Sequence, residues 1–125
     1  LEYLVLAAKI TLFLTIANVW FLRFSRPTPY RGGQAGNMRE EFKAYGLSEA
    51  MLYMVGALKV LAAIGLLVSI WLPFLAIPSA AAMGFLMAGA IWMHLRIRDP
   101  LIKALPALIF FLLSAFIWLE ATGSL

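Results

Sequence analysis

Apolar positions in this chain gather into four long blocks, Tyr3–Leu22, Ala50–Trp71, Phe74–Leu95 and Pro100–Leu119. Each is long enough for the roughly 20 residues of helix that a bilayer core requires. The blocks do not alternate with period two, and lipid cannot satisfy open backbone groups, so helices are predicted rather than strands. Two of the intervening breaks are tight and one, Arg23–Glu49, is long. The pattern predicts an all-α integral membrane protein, an up-down four-helix transmembrane bundle, as a single domain over residues 1–125.

The long break has two parts. Arg26-Pro27-Thr28-Pro29-Tyr30-Arg31-Gly32-Gly33 is rich in turn formers and excludes regular helix. Beyond it, Asn37 followed by Glu40 has the spacing of a capping box. Met38, Phe42 and Tyr45 then share one helical face, and Gly46 ends the pattern. A short amphipathic helix lying on or tucked under the bundle is predicted. At the other break, Asp99 is expected to cap the fourth span, with Pro100 at its first helical position. Pro106 should bend that span.

Charge refines the topology. Arg23, Arg26, Arg31, Arg39, Lys43, Arg96, Arg98 and Lys103 all fall on the side of the first and third connections. Basic loops stay cytoplasmic, so these are expected inside and both termini outside. The net charge of +4 therefore reads as membrane topology, not nucleic-acid binding. The first block reads as a span rather than a cleavable signal, because no basic segment precedes it and Arg23 and Arg26 follow. Without an initiator Met, the chain is expected to lack a few native residues at its start. No cysteine is present, which excludes disulfides, thiol catalysis and cysteine-ligated metal or iron–sulfur centres.

Within the spans, Ala80, Gly84 and Ala88 form a small-residue stripe for close helix packing. Thr11, Thr15 and Asn18 form a polar stripe expected to face the bundle. Lys9 is placed on the opposite side with Phe13 and Trp20, snorkelling outward near Glu2. Trp20, Trp71, Trp92 and Trp118 lie near span ends as interfacial anchors. Lys59 is different, since it sits roughly 13 Å into its helix at 1.5 Å per residue. A lysine at mid-depth costs about 2.5–3.5 kcal/mol and needs an interior partner. Glu41, bordering the apolar face of the loop helix, is the preferred partner; a neutral lysine or a bound acidic or carbonyl ligand are the alternatives. His94, the only histidine, closes the third span, either as an interfacial residue favoured by the helix dipole or as a proton-relay or quinone hydrogen-bonding group. A single histidine argues against a membrane haem.

Arg31-Gly32-Gly33, Asn37-Met38-Arg39-Glu40-Glu41-Phe42 and Tyr45-Gly46-Leu47 resemble the first loop of DoxX-like membrane proteins. Gly56-Ala57-Leu58-Lys59-Val60, His94, Asp99-Pro100-Leu101 and Leu105-Pro106-Ala107 extend the resemblance over nearly the whole chain. It implies a four-helix bundle in the bacterial inner membrane, some of whose relatives are subunits of terminal or thiosulfate:quinone oxidoreductases. The Asp-Pro-Leu turn is also similar to that of NACHO, an animal assembly chaperone for nicotinic receptors. Many DoxX proteins carry an acid about where this chain has Lys59, so no mechanism transfers through that residue.

Two functions follow as expectations. The first is a non-catalytic accessory or assembly partner of another membrane protein, in contact with lipid and with that partner or a second copy of itself. The second is a quinone-binding subunit of a membrane oxidoreductase. The expected polar cluster is Lys59, Glu41, Tyr45, Tyr53, Asn18 and His94, with a basic loop face of Arg31, Arg39, Arg96 and Arg98. No catalytic or metal set is predicted, and quinone is the one cofactor in view. A solute transporter is disfavoured, as no internal repeat or paired intramembrane charge is visible.

Overall fold

A computed structural model describes residues 1–125. Helix α1 runs Glu2–Ala17 and continues through one wide turn, Asn18–Leu22, closed by Arg23 N–H donating to the Asn18 carbonyl at 2.9 Å. The short helix α2 is Met38–Ala44, and the remaining spans are α3, Glu49–Val68, α4, Ala76–Arg96, and α5, Leu101–Ala121. Four helices are long and apolar enough to cross a membrane, making this a multi-pass membrane protein. The spans close a ring in which α1 packs on α3, α3 on α4, α4 on α5 and α5 on α1, with α2 against α3.

Leu12, Leu66, Met83 and Ile117, one from each span, fill the centre with almost no exposed surface. Close approach comes from small residues. A Cβ on Gly65 would collide with Ser79 Oγ, so α3 and α4 approach closely there. The expected stripe on α4 is split, because Ala80 is buried and Gly84 packs near Ser114, whereas Ala88 faces outward. Large apolar side chains such as Tyr3 and Phe85 point away from the bundle, as lipid contact requires.

The first polar stripe is also split, with Thr15 and Asn18 half-buried and Thr11 exposed. Lys9 corrects the expectation more sharply. It is buried with Val5, Ala8 and Leu12, and Phe13 on the same face packs against the core, so that face turns inward rather than outward. Trp71, Trp92 and Trp118 are exposed near span ends, whereas Trp20 is only half-buried and lies across Gly56.

Local rules shape the loop helix. Asn37 Oδ1 accepts from the Glu40 N–H at 2.8 Å, but the Glu40 carboxylate bonds Gly36 N–H at 2.7 Å instead of closing the box on Asn37. Gly46, at φ +77°, ends α2; its N–H donates to Lys43 and that of Leu47 to Phe42, the paired bonds of a Schellman turn. Met38, Phe42 and Tyr45 are all buried, so α2 is tucked under the loop against the bundle.

Candidate functional site

The turn after α4 builds the site's edge. Arg98 N–H bonds the Leu95 carbonyl and Asp99 N–H bonds that of His94 at 3.0 Å, a second Schellman turn. Its left-handed position holds Arg98, at φ +58°, where glycine is usual. The turn folds Asp99 back over the last turn of α4. There Asp99 Oδ2 lies 2.7 Å from His94 Nδ1, and Oδ1 accepts from Gly33 N–H at 3.0 Å. Asp99 therefore does not cap α5; Pro100 occupies that position, and no side chain caps the helix. Lys103, one turn into α5, donates to the Gly33 carbonyl and ties the first loop to the same edge.

From His94 the polar groups run on into the loop helix. His94 Nε2 lies 3.3 Å from the Tyr45 hydroxyl, and their rings meet edge to face at 5.6 Å. Tyr45 donates to Glu41 Oε1 at 2.7 Å, and the same oxygen accepts from Gly32 N–H at 3.1 Å. Glu41 Oε2 accepts from Arg31 Nη1 at 2.9 Å. Arg31 also donates to the carbonyls of Arg23 and Arg26 and reaches Met38 Sδ, so one buried guanidinium gathers both ends of the loop. Gly32 must be glycine here, because a Cβ would lie 2.5 Å from the Tyr45 ring. No buried side-chain nitrogen or oxygen is left without a partner. Burial, followed by the neighbouring Glu41 carboxylate, raises the Tyr45 phenol well above its ordinary value, so it keeps its proton.

Beside this network is a cavity of about 730 Å³, reached by α1, the loop, α3, α4 and α5. Most of its lining is apolar, including Trp20, Phe42, Met87, Met93 and Phe110, and its polar margin includes Glu41, Tyr45 and His94. Thr15, Asn18 and Lys59, all half-buried, also line it, and their polar atoms, open to the cavity, take part in no hydrogen bond of the protein. The wide turn of α1 helps, since it sets Asn18, Val19 and Trp20 in succession along the wall.

The expected cluster is thus reassigned in part. Glu41, Tyr45 and His94 join one network, and Lys59 and Asn18 line the adjoining cavity. The expected Lys59–Glu41 pair is absent, because Arg31 takes the carboxylate. The Lys59 ammonium lies 6.0 Å over the Trp20 ring and has no acid within ion-pair distance. Tyr53 is exposed and bonds Arg39, which also pairs with Glu49, so both residues belong to a separate surface cluster. Arg96 and Arg98 are exposed, whereas Arg31 is buried. Asp99 and Lys103 are the site residues that sequence reasoning missed. The five-residue spacing from His94 to Asp99 across a helix end was the signal available for the former.

A family profile described as the DoxX-like family matches residues 31–117, from the buried arginine to the last turns of α5. No curated protein and no solved structure matches the chain.

Proposed function

The chain belongs to the DoxX-like family, and we propose that it is an accessory subunit that binds a quinone-type molecule in its cavity and presents it to a partner membrane protein. One observation carries this reading: an ammonium that rests over the Trp20 ring, with no ion pair or hydrogen bond to the protein, lines a largely apolar cavity among four membrane spans. A lysine at mid-membrane depth without an ion-pair partner is costly, so a ligand that accepts its hydrogen bond would offset that cost. Flat apolar rings carrying carbonyl oxygens suit the cavity, with Lys59 and Asn18 as donors to the carbonyls and Trp20 and Phe110 against the ring faces.

Redox chemistry is then divided. The quinone carries the electrons when bound, the partner supplies them, and this chain positions the ring and excludes water. The bundle's apolar outer surface gives such a partner helical faces to pack on, and the ends of the bundle set the orientation. Arg23, Arg26, Lys43, Arg96 and Arg98 cluster on one side, which supports an inner-membrane protein with both basic loops cytoplasmic and the termini outside.

The test is extraction. Protein purified in mild detergent is expected to carry quinone in stoichiometric amount by mass spectrometry, and Lys59→Met to lose it while remaining folded. Equal quinone in the wild type and Lys59→Met, or only phospholipid in both, would remove the quinone reading.

A further inference from the structure

Four side chains form an unbroken buried line. Asp99 Oδ2 meets His94 Nδ1 at 2.7 Å, His94 Nε2 meets the Tyr45 oxygen at 3.3 Å, and Tyr45 meets Glu41 Oε1 at 2.7 Å. Each of these three contacts joins two electronegative atoms and needs one hydrogen between them; without it, lone pair faces lone pair. A neutral imidazole brings one such hydrogen and a phenol another, while two carboxylates bring none. Three contacts are therefore served by two hydrogens. Outside donors do not make up the deficit, because Gly33 N–H is directed at Asp99 Oδ1, and Gly32 N–H and Arg31 add to Glu41 without entering the line.

The charged surroundings of the line are these: Arg31 is the one cation hydrogen-bonded to its two carboxylates. Lys103 faces this end of the line from α5 but directs its ammonium to the Gly33 carbonyl, and Arg23 and Lys59 lie along the adjoining cavity wall.

We propose that the Asp99–His94–Tyr45–Glu41 line stores one exchangeable proton beyond those of its neutral ring and phenol, and delivers it through Tyr45 to an oxygen in the cavity. The stored proton completes the third contact. Delivery rests on the quinone reading; storage does not. When a bound carbonyl oxygen gains negative charge from a reduced flavin or iron–sulfur donor of the partner, the Tyr45 O–H bond breaks and an O–H bond forms on the ligand. Tyr45 then takes the hydrogen from His94 Nε2, and the ring is left neutral with its remaining hydrogen toward Asp99. One proton leaves the line and one negative charge on the ligand is neutralised.

A single histidine makes the experiment direct. Full-length protein labelled with ¹⁵N-histidine is studied in nanodiscs near neutral pH, with infrared spectra in H₂O and D₂O. The expected result is either a ring with both nitrogens protonated or a buried carboxylic acid band that shifts in D₂O. Tyr45→Phe deletes two of the three contacts and is expected to abolish that signature; Asp99→Asn, which keeps the phenol, is expected to do the same. A neutral ring with no carboxylic acid band in the wild type overturns storage, whatever binds in the cavity. Added short-chain benzoquinone is expected to shift the ring signals. An unchanged ring, with the storage signature present, overturns delivery alone.

Discussion

Arg31 Nη1 and Glu41 Oε2 meet at 2.9 Å beneath the first loop, and both side chains are almost closed to solvent. Removing one partner strands the other in low dielectric, which typically costs about 3–5 kcal/mol. Glu41→Ala is expected to reach that range, since it also strips an acceptor from Gly32 and Tyr45. The double variant Arg31→Met with Glu41→Gln keeps an acceptor oxygen and removes both charges, so its loss should be markedly smaller. Thermal unfolding in detergent, followed by size-exclusion of the surviving fraction, ranks the two. Equal losses would show that charge pairing is not what holds the loop.

Alkaline pH should loosen the same loop. The folded-state phenol of Tyr45 lies above its ordinary value of 10.0, chiefly through burial and then through Glu41. The unfolded chain therefore gives up this proton first as pH rises. The contribution to stability is complete below about pH 10 and declines above it, by at most about 1.4 kcal/mol per pH unit. Unfolding curves at pH 9 to 11 are expected to show a decline that is steeper in the wild type than in Tyr45→Phe. Parallel slopes in the two proteins would refute a buried phenol at this position.

Gly32 tests the packing beneath that phenol. A Cβ there would sit 2.5 Å from the Tyr45 ring, which is fixed by its bond to Glu41 and its contact with His94. Gly32→Ala should cost about 1–3 kcal/mol, the usual penalty of overpacking. It should also move the Tyr45 ring, read as a change in the His94 ring signals. Gly89→Ala, which meets nothing within 4 Å inside α4, is the control expected to leave the His94 ring signals unchanged and to cost no stability.

Arg98 occupies a left-handed backbone position at φ +58° with its side chain in solvent. An L-residue there carries strain of roughly 1–2 kcal/mol, of which glycine's extra unfolded-state entropy returns about 0.5–1. Arg98→Gly is therefore expected to raise stability by up to about 1 kcal/mol while preserving the turn that sets Asp99 on His94. A lower melting temperature would show that the Arg98 side chain contributes something its exposed position does not reveal.

The spans were legible in the sequence because length and apolar content report membrane crossing directly. Their inward faces were much less so, for a physical reason: lipid is as apolar as a protein core, so periodicity carries little information about which side is buried. Lys9 shows this, since the pattern points it outward and it lies among Val5, Ala8 and Leu12. Ala88 shows the converse, a small residue in register with Ala80 that faces outward. The loop helix was easier to read, since its Met38, Phe42 and Tyr45 face contrasts with charged neighbours. What could not be read was the pairing. Glu41 was visible as an inward acid, but the choice between Arg31 and Lys59 depends on how the Pro- and Gly-rich segment folds back. Asp99 was hidden by its fit to a helix cap, a role that Pro100 fills in the fold.

Lys59 supplies the last prediction, because its two possible roles oppose each other in sign. Were it a structural ion-pair member, its removal would destabilise the bundle. It has no acid within ion-pair distance, and its ammonium lines the cavity over Trp20. Replacing it with Met removes a mid-membrane charge whose insertion penalty is about 2.5–3.5 kcal/mol and preserves most of its length. Lys59→Met should thus leave the ligand-free bundle as stable as the wild type or more so. The same variant should lose the rise in melting temperature that added quinone confers on the wild type, since only a ligand bound to the folded state produces it. Both melting curves come from one nanodisc preparation, with and without short-chain benzoquinone. Destabilisation of the ligand-free variant would mean that Lys59 is held by the protein after all, and an undiminished quinone shift would mean that the cavity binds through other groups.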